Sequence, residues 1–343
     1  MVFMNKIYLL LLSLTLSCGV VYAQHTGIDE LVEKGNQLYD NGKYIEAIGL
    51  YQEALALDST ASRPNYEMAN TYLALEKYEK ALWYIEKVIQ KNDKYMDQAY
   101  TLKGTAFDMM GQFEAAVQAY TDGVKQFPHD YLLNYNLALT YYNAKDYTDA
   151  EHYATAALQA NIHHPSSNLI LAKCMYHDGK KAQSLLCLYY FLLLEPNSKR
   201  AAGAMELMDK LFNEGVRKDS ANHITITISG IDGDYGAANL AVSAMRAVKD
   251  EEKNKDKSEE QMFYENTESF FKIMGELKNN TKTKDIWWDI YTPFFYSLVN
   301  AGQTETYCYY ISSSRNKETI SSWLKNNKDK VEQLMNWCNN YYK

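Results

Sequence analysis

Lys34 to Asp58 reads KGNQLYDNGKYIEAIGLYQEALALD, and its pattern decides the fold. Gly35, Tyr39, Ala47, Tyr51 and Ala54 fall at the spacings of two amphipathic helices, with a turn at Asn41-Gly42 between them. The pattern then recurs down the chain. Gly35, Ala69, Gly104, Ala138 and Ala172 form one column, with gaps of 34, 35, 34 and 34 residues. Ala47, Ala81, Ala116, Ala150 and Ser184 form a second. Tyr44, Tyr78, Phe113 and Tyr147 form an aromatic column, which Lys181 breaks in the fifth copy. Small residues in the columns let two antiparallel helices approach closely, and the aromatic after the turn plugs the gap between them. Tyr51, Ile85, Tyr120 and Leu188 pack from the second helix, where Ala154 is small. Gly42, Gly111 and Gly179 end first helices, where a left-handed residue is needed. Pro128 and Pro196 close the third and fifth copies. One such pair cannot bury its apolar face alone, so the copies must stack.

These columns resemble the tetratricopeptide repeat, whose period is about 34 residues. The resemblance covers five copies, 28–61, 62–95, 97–130, 131–164 and 165–198. It implies an all-α fold, a right-handed α-solenoid of about five helix pairs. It also implies that partners bind on a concave face lined by the first helix of each pair. That face would carry Val32, Asn36, Tyr39, Tyr66, Asn70, Leu73, Thr101, Thr105, Asp108, Tyr135, Leu139, Tyr142, Leu169, Lys173 and Tyr176. The expected protein-binding residues among them are Asn36, Tyr39, Tyr66, Asn70, Tyr135, Tyr142, Lys173 and Tyr176. Tyrosine suits such a surface because it offers a large rigid face with a polar tip. Asp108 and Lys173 are the clearest charges in this set, so recognition is expected to rest on apolar contact and hydrogen bonding. Chaperone-binding relatives clamp a terminal carboxylate with basic residues. Here Val32 stands where the lysine is expected beside Asn36, and Gln98 offers no base in the third copy.

The N-terminus, MVFMNKIYLLLLSLTLSCGVVYAQ, has Lys6 before an apolar core and a small residue, Ala23, at its end. That is the layout of a secretory signal peptide over residues 1–23. Soluble export is favoured over lipid attachment at Cys18, because Thr15 stands where the lipid-attachment signal expects leucine. The expected location is therefore the periplasm or cell envelope. After residue 23 no apolar run is long enough to span a membrane. The whole layout resembles secreted repeat proteins of Bacteroidetes. Residues 1–23 hold one lysine and no acid, so their removal takes the net charge from −8 to −9. An acidic chain without a basic stripe argues against nucleic acid as a partner. Cys174, Cys187, Cys308 and Cys338 remain, and are read as buried thiols although a Cys174–Cys187 bond is conceivable.

Leu185 to Leu194 is apolar on every side, so its helix should be covered both by the fifth copy and by the C-terminal part of the chain. Residues 199–220 read as one capping helix stopped by Gly215. Residues 221–343 read as a mainly helical second domain. Its His223–Ser229 run alternates like a strand with no second alternating run to pair with. Gly230–Gly236 is a turn whose Asp232 and Asp234 fall short of a calcium loop. The other features are a helix at Ala237–Val248, a charged run at 249–258, and a capping box at Ser258 and Gln261. The box opens a helix with Phe263, Thr267, Phe270, Phe271, Met274 and Leu277 on one face. Ile286–Val299 supplies the core, and helices come next at Glu318–Lys325 and Asp329–Trp337. No catalytic constellation, phosphate-cradling loop or dinucleotide fingerprint is present. The Cys174 and His177 pair has a metal-compatible spacing but too few ligands for a site. The sequence therefore points to a non-enzymatic interaction scaffold with no cofactor and no metal. The alternative is a peptide- or glycan-binding component of a nutrient-uptake complex.

Overall fold

The computed structural model describes residues 26–214, 216–218, 224–226, 233–247 and 256–342. The expected signal segment, Gly215, Asp232 and most of the charged run lie outside the described residues. Five helix pairs come first: α1 (26–40) with α2 (Tyr44–Leu57), α3 (Ser62–Ala74) with α4 (Tyr78–Lys91), and α5 (Met96–Met109) with α6 (Phe113–Gln126). Then come α7 (Tyr131–Asn143) with α8 (Tyr147–Ala160), and α9 (Pro165–His177) with α10 (Lys181–Leu194). The fold is all-α, as the columns require. It divides into two compact units, Met1–Thr140 and Tyr141–Lys343, so the division falls inside α7 and not after the fifth copy.

Within the first unit the small-residue columns do what their chemistry allows. Ala47, Ala81 and Ala116 are fully buried. A Cβ built on Gly35 would lie 2.3 Å from the Tyr51 ring, and one on Gly104 would lie 2.3 Å from the Tyr120 ring. The columns are therefore matched in volume: glycine faces tyrosine in the first and third copies, and the second copy holds Ala69 and Ile85 in the same two columns. The turns close with Gly42 at φ 73° and Gly111 at φ 70°, while Glu76 takes the same left-handed place at φ 56°.

A polar column is invisible in the apolar spacing. Asn65 Nδ2 donates to Ser59 O at 3.2 Å and Ala61 O at 2.8 Å, and Asn134 Nδ2 to Pro128 O at 3.1 Å and Asp130 O at 2.8 Å. In the second unit Asn168 Nδ2 donates to Ile162 O at 2.9 Å and His164 O at 3.0 Å. Each asparagine staples the turn that leads into its own helix, bonding one carbonyl at the helix start, which also accepts a backbone N–H, and one carbonyl of the turn before it.

In the second unit every residue of α10 from Lys181 to Leu193 is buried. The cover comes from α11 (Lys199–Asn213), α12 (Gly236–Ala247), α13 (Glu259–Lys278) and α14 (Thr292–Asn300), and from α15 (Thr304–Ile311). Tyr189 packs edge-on to Phe271 at 4.8 Å and bonds Thr267 through its hydroxyl at 2.7 Å, while Tyr307 donates to Tyr189 O at 2.8 Å. Tyr190 packs against Tyr291 at 5.6 Å and Phe294 at 5.3 Å. The largely apolar helix thus becomes the axis of the second unit, with the buried Tyr189 and Tyr307 hydroxyls paired.

Lys181, the break in the aromatic column, explains itself here. Its Nζ donates to Glu214 O at 2.6 Å, and burial lowers its pKa. The next residue's backbone N–H, on Ala182, donates to Asn239 Oδ1 at 2.9 Å, so α12 caps the start of α10. An aromatic plug is replaced where a different element docks.

Two expectations for the tail need correction. The capping helix ends at Asn213, not near residue 220, and the chain turns into β1 (Val216–Lys218). This strand pairs antiparallel with β2 (Ile224–Ile226), so the alternating run is not alone: a strand without a partner would leave its backbone groups unpaired. The segment at Ile286–Val299 supplies core, as expected, with Trp288, Tyr291, Phe294, Phe295 and Leu298 all buried, and it does so through two kinds of helix. A π-helical turn at Trp287–Tyr291 precedes α14, and the Thr292 N–H reaches Trp287 O. Pro293 has no N–H to give, which leaves Trp288 O without a backbone donor, and Lys278 Nζ takes it at 2.6 Å. Helix α15 is an addition to the helices that the sequence suggests. Its signal is the Ala301-Gly302-Gln303 turn: Gly302 has φ 66°, with N–H bonds to Val299 O at 2.9 Å and from Gln303 to Leu298 O at 3.1 Å. The turn at Gly42 makes the same two bonds at 2.8 Å and 2.9 Å. Helices α16 (Glu318–Asn326) and α17 (Lys328–Tyr341) complete the chain, and Ser258 caps α13 by accepting from Gln261 N at 3.1 Å.

Candidate protein-binding surface

Of the side chains assigned to the inner face, Val32, Leu73 and Leu169 are buried at 0, 5 and 8 % exposure. They belong to the core, because their positions turn toward the neighbouring helix. The rest are half-buried or exposed. In the first unit the fully buried Tyr51, lying across Gly35, donates its hydroxyl to Asn36 Oδ1 at 2.7 Å. That bond fixes the direction of the Asn36 amide, whose Nδ2 donates to Glu67 Oε1 at 3.3 Å. Tyr39 bonds Asn70, and Tyr66 stacks on Tyr95 with ring centroids 6.0 Å apart. Asn36, Tyr39, Tyr66 and Asn70 therefore gather around one carboxylate, Glu67, which the columns do not mark. It was legible at i+4 from Arg63 and i−3 from Asn70, on their side of α3.

Burial pushes the Glu67 carboxyl above its usual value, with Asn36 and Arg63 opposing and Glu33 and Asp40 adding to the rise. Arg63 donates to Asp29 at 3.0 Å and to Glu33, so the one arginine nearby is already shared between two carboxylates. Asp97 adds its field at Tyr66. The expected low charge of the face thus does not hold at this end, since the acids stand beside the named positions and not on them. In the third copy the hydroxyls turn inward. Thr101 donates to Asp97 O at 3.1 Å and Thr105 to Thr101 O at 2.8 Å, while the Tyr120 hydroxyl lies 3.1 Å from Thr105 Oγ1. Asp108 accepts from Thr140 at 2.6 Å. Tyr135 and Leu139 are half-buried.

In the second unit Tyr142 is half-buried, with Lys173 Nζ 5.8 Å from its ring centroid. Tyr176 has Lys210 Nζ at 4.7 Å from its ring centroid. His177 stacks on Tyr147 at 4.0 Å and is exposed, whereas Cys174 is buried, so the two candidate ligands are not brought together. Among the described residues no group of three or more His, Cys, Asp or Glu is placed to hold a metal. Cys174, Cys187, Cys308 and Cys338 are free thiols, and burial raises the pKa of all four, which keeps them protonated and unreactive. Asp234 accepts from the Thr281 and Thr283 hydroxyls, the behaviour of a loop staple.

Tetratricopeptide repeat profiles match residues 38–105, 101–165 and 135–185. Residues 38–185 form a tetratricopeptide repeat array. The chain is 33% identical over 102 residues to a Hsp70-Hsp90 organizing protein of Triticum aestivum, covering 30% of this chain and 17% of that one. It is 26% identical over 158 residues to a TPR repeat-containing protein of Methanocaldococcus jannaschii, covering 45% and 27%. It therefore spans well under a third of the length of either relative. Among solved structures it is similar to Pseudomonas aeruginosa pilF, with a TM-score of 0.50, 17% identity, and coverage of 55% of this chain and 86% of that one. This last likeness shows the fold alone.

Beyond the repeat array, the second unit holds a cleft of about 270 Å³ lined by Asp209, Phe263, Glu259, Glu260, Arg315 and Lys317 among others. Its charges are paired with each other: Arg315 grips Asp209 at 2.9 and 2.6 Å, and Lys317 reaches Glu259 at 2.5 Å. Among the described residues no helix is long and apolar enough to cross a membrane. Tetratricopeptide repeat proteins bind protein partners, and the half-exposed tyrosines and asparagines of the first helices are the part of this array that packing leaves over.

Proposed function

We propose that this chain is a non-catalytic protein–protein interaction scaffold of the cell envelope, exported by residues 1–23 and holding its partner on the first-helix face. One observation carries the reading. Tyr39, Tyr66, Tyr135, Tyr142 and Tyr176 lie on the first helices of four of the five copies, two of them on α7, and each keeps part of its ring out of the core. Packing alone would bury those positions, as it does Val32 and Leu73. Large aromatic side chains with polar tips are the residues that dominate binding energy when covered by a partner. The export reading is supported by the positive, apolar and small-residue order of the first 23 residues.

A photo-crosslinking residue placed at 39, 66 or 142 in living cells tests the face, with Glu53, exposed on α2, as the comparison position. The expected result is a discrete cross-linked protein from the first-helix positions only, in the envelope fraction, with an intact mass lacking residues 1–23. Cross-links confined to position 53 would refute the face. A cytoplasmic chain that retains residues 1–23 would refute the location.

A further inference from the structure

The geometry around Glu67 says what kind of partner the first unit fits. This deepens the proposed function and rests on its choice of face. Glu67 is half-buried, and its one side-chain donor is the Asn36 amide at 3.3 Å. The amide cannot turn its oxygen toward the carboxylate without breaking the 2.7 Å bond from the Tyr51 hydroxyl, whose ring is fixed in the core across Gly35. The carboxylate is therefore held in place from behind and left open in front. Tyr39 and Tyr66 flank it, and both feel its charge.

The electrostatics around this point are one-sided. Asp29, Glu33, Asp40, Glu67 and Asp97 face a single arginine, Arg63, which is spent on Asp29 and Glu33. Asp40, Glu67 and Asp97 enter no ion pair among the described residues, whereas Glu30, also on α1, is paired with Lys34 at 2.8 Å. A half-buried carboxylate without an ion-pair partner is costly, and Arg63 offsets the Glu67 charge only in part. Tyrosine faces attract cations. A guanidinium or ammonium placed between the two rings meets the carboxylate and the aromatic faces together, and the surrounding acids favour further positive charge along the same segment.

We infer that the first unit binds a basic peptide segment of a protein partner, one lysine or arginine of which seats on Glu67 between Tyr39 and Tyr66.

The probe is a short fluorescent peptide carrying several lysines, measured by anisotropy against the full chain. Versions with glutamine or glutamate at the lysine positions serve as comparisons. The lysine peptide should bind, the glutamine version at least about tenfold more weakly and the glutamate version not at all, with affinity falling as salt rises. Glu67→Gln should weaken the lysine peptide about tenfold, the scale of one partly buried ion pair. Its thermal melt should not drop, because glutamine keeps the Asn36 bond and removes a buried charge. Glu30→Gln, which changes net charge equally, should bind as wild type does. Equal binding of the lysine and glutamine peptides, or equal losses in the Glu67 and Glu30 variants, would overturn the inference. Two failures are separable. If position 39 still cross-links its cellular partner and Glu67→Gln leaves that cross-link unchanged, the face stands and its cation chemistry is wrong. If position 39 captures nothing, both readings fall.

Discussion

Replacing Gly104 by alanine should destabilise the protein, although alanine is the better helix former. Gly104 lies inside α5, so on propensity alone the change would stabilise by about 1 kcal/mol. The new Cβ would sit 2.3, 2.4 and 2.5 Å from three atoms of the Tyr120 ring, about an ångström inside normal contact. The ring cannot retreat. It is 1 % exposed, and its hydroxyl lies 3.1 Å from Thr105 Oγ1. Overpacking of this kind costs roughly 1–3 kcal/mol, and the fixed ring places this case near the top of the range. The net loss should be about 1–2 kcal/mol. The chain itself supplies the rescue. The same columns hold Ala172 and Leu188 in the fifth copy and Ala69 and Ile85 in the second, so Gly104→Ala with Tyr120→Leu rebuilds a combination already in use. Tyr120→Leu alone should cost about 2–4 kcal/mol through its cavity and lost hydroxyl bond. The double variant should recover at least about 1 kcal/mol relative to the sum of the single changes. Urea unfolding followed by circular dichroism measures all three. A Gly104→Ala variant as stable as wild type, or strictly additive double-variant behaviour, would refute the placement of Tyr120 against Gly104.

The second unit carries two further expected outcomes. Tyr189, Tyr291, Tyr307, Cys187 and Cys308 are held protonated well above their ordinary pKa values by burial. The unfolded chain releases these protons near pH 8.5 for cysteine and 10 for tyrosine while the folded chain keeps them, so stability is full below about pH 8 and falls as pH rises, by about 1.4 kcal/mol per pH unit for each titrating group; a melting temperature unchanged between neutral and strongly alkaline pH would contradict this. A chain ending after Ser198 should aggregate or dimerise in gel filtration, because it strips the cover from α10 and exposes a contiguous apolar surface; a soluble monomeric fragment would show that the fifth copy needs no such cover.

The sequence by itself determined the array. The columns through Gly35 and Ala47 recur because two helices can approach only where side chains are small, and that steric demand is local, so it is written in the spacing. The same locality made the Ser258 cap and the fully buried α10 legible. Even the departure at Lys181 was visible, although only the structure gave its reason: Glu214 O and the docking of α12 replace the aromatic plug.

What the tertiary structure alone decided depends on contacts between distant residues. The π turn before α14 arises from Pro293 together with Lys278, which fills the carbonyl that the proline strands. The β1–β2 ribbon needed a partner strand without an alternating pattern of its own. The inner face was legible as a list of positions but not as a chemistry. Val32, Leu73 and Leu169 dropped out because burial is set by the neighbouring helix, and Glu67 entered because Tyr51, fifteen positions along from Asn36, fixes the amide that holds it. Periodicity records which residues must be small or apolar for helices to pack. It does not record where unpaired charge collects between them, because that is settled by side chains from three helices meeting in space.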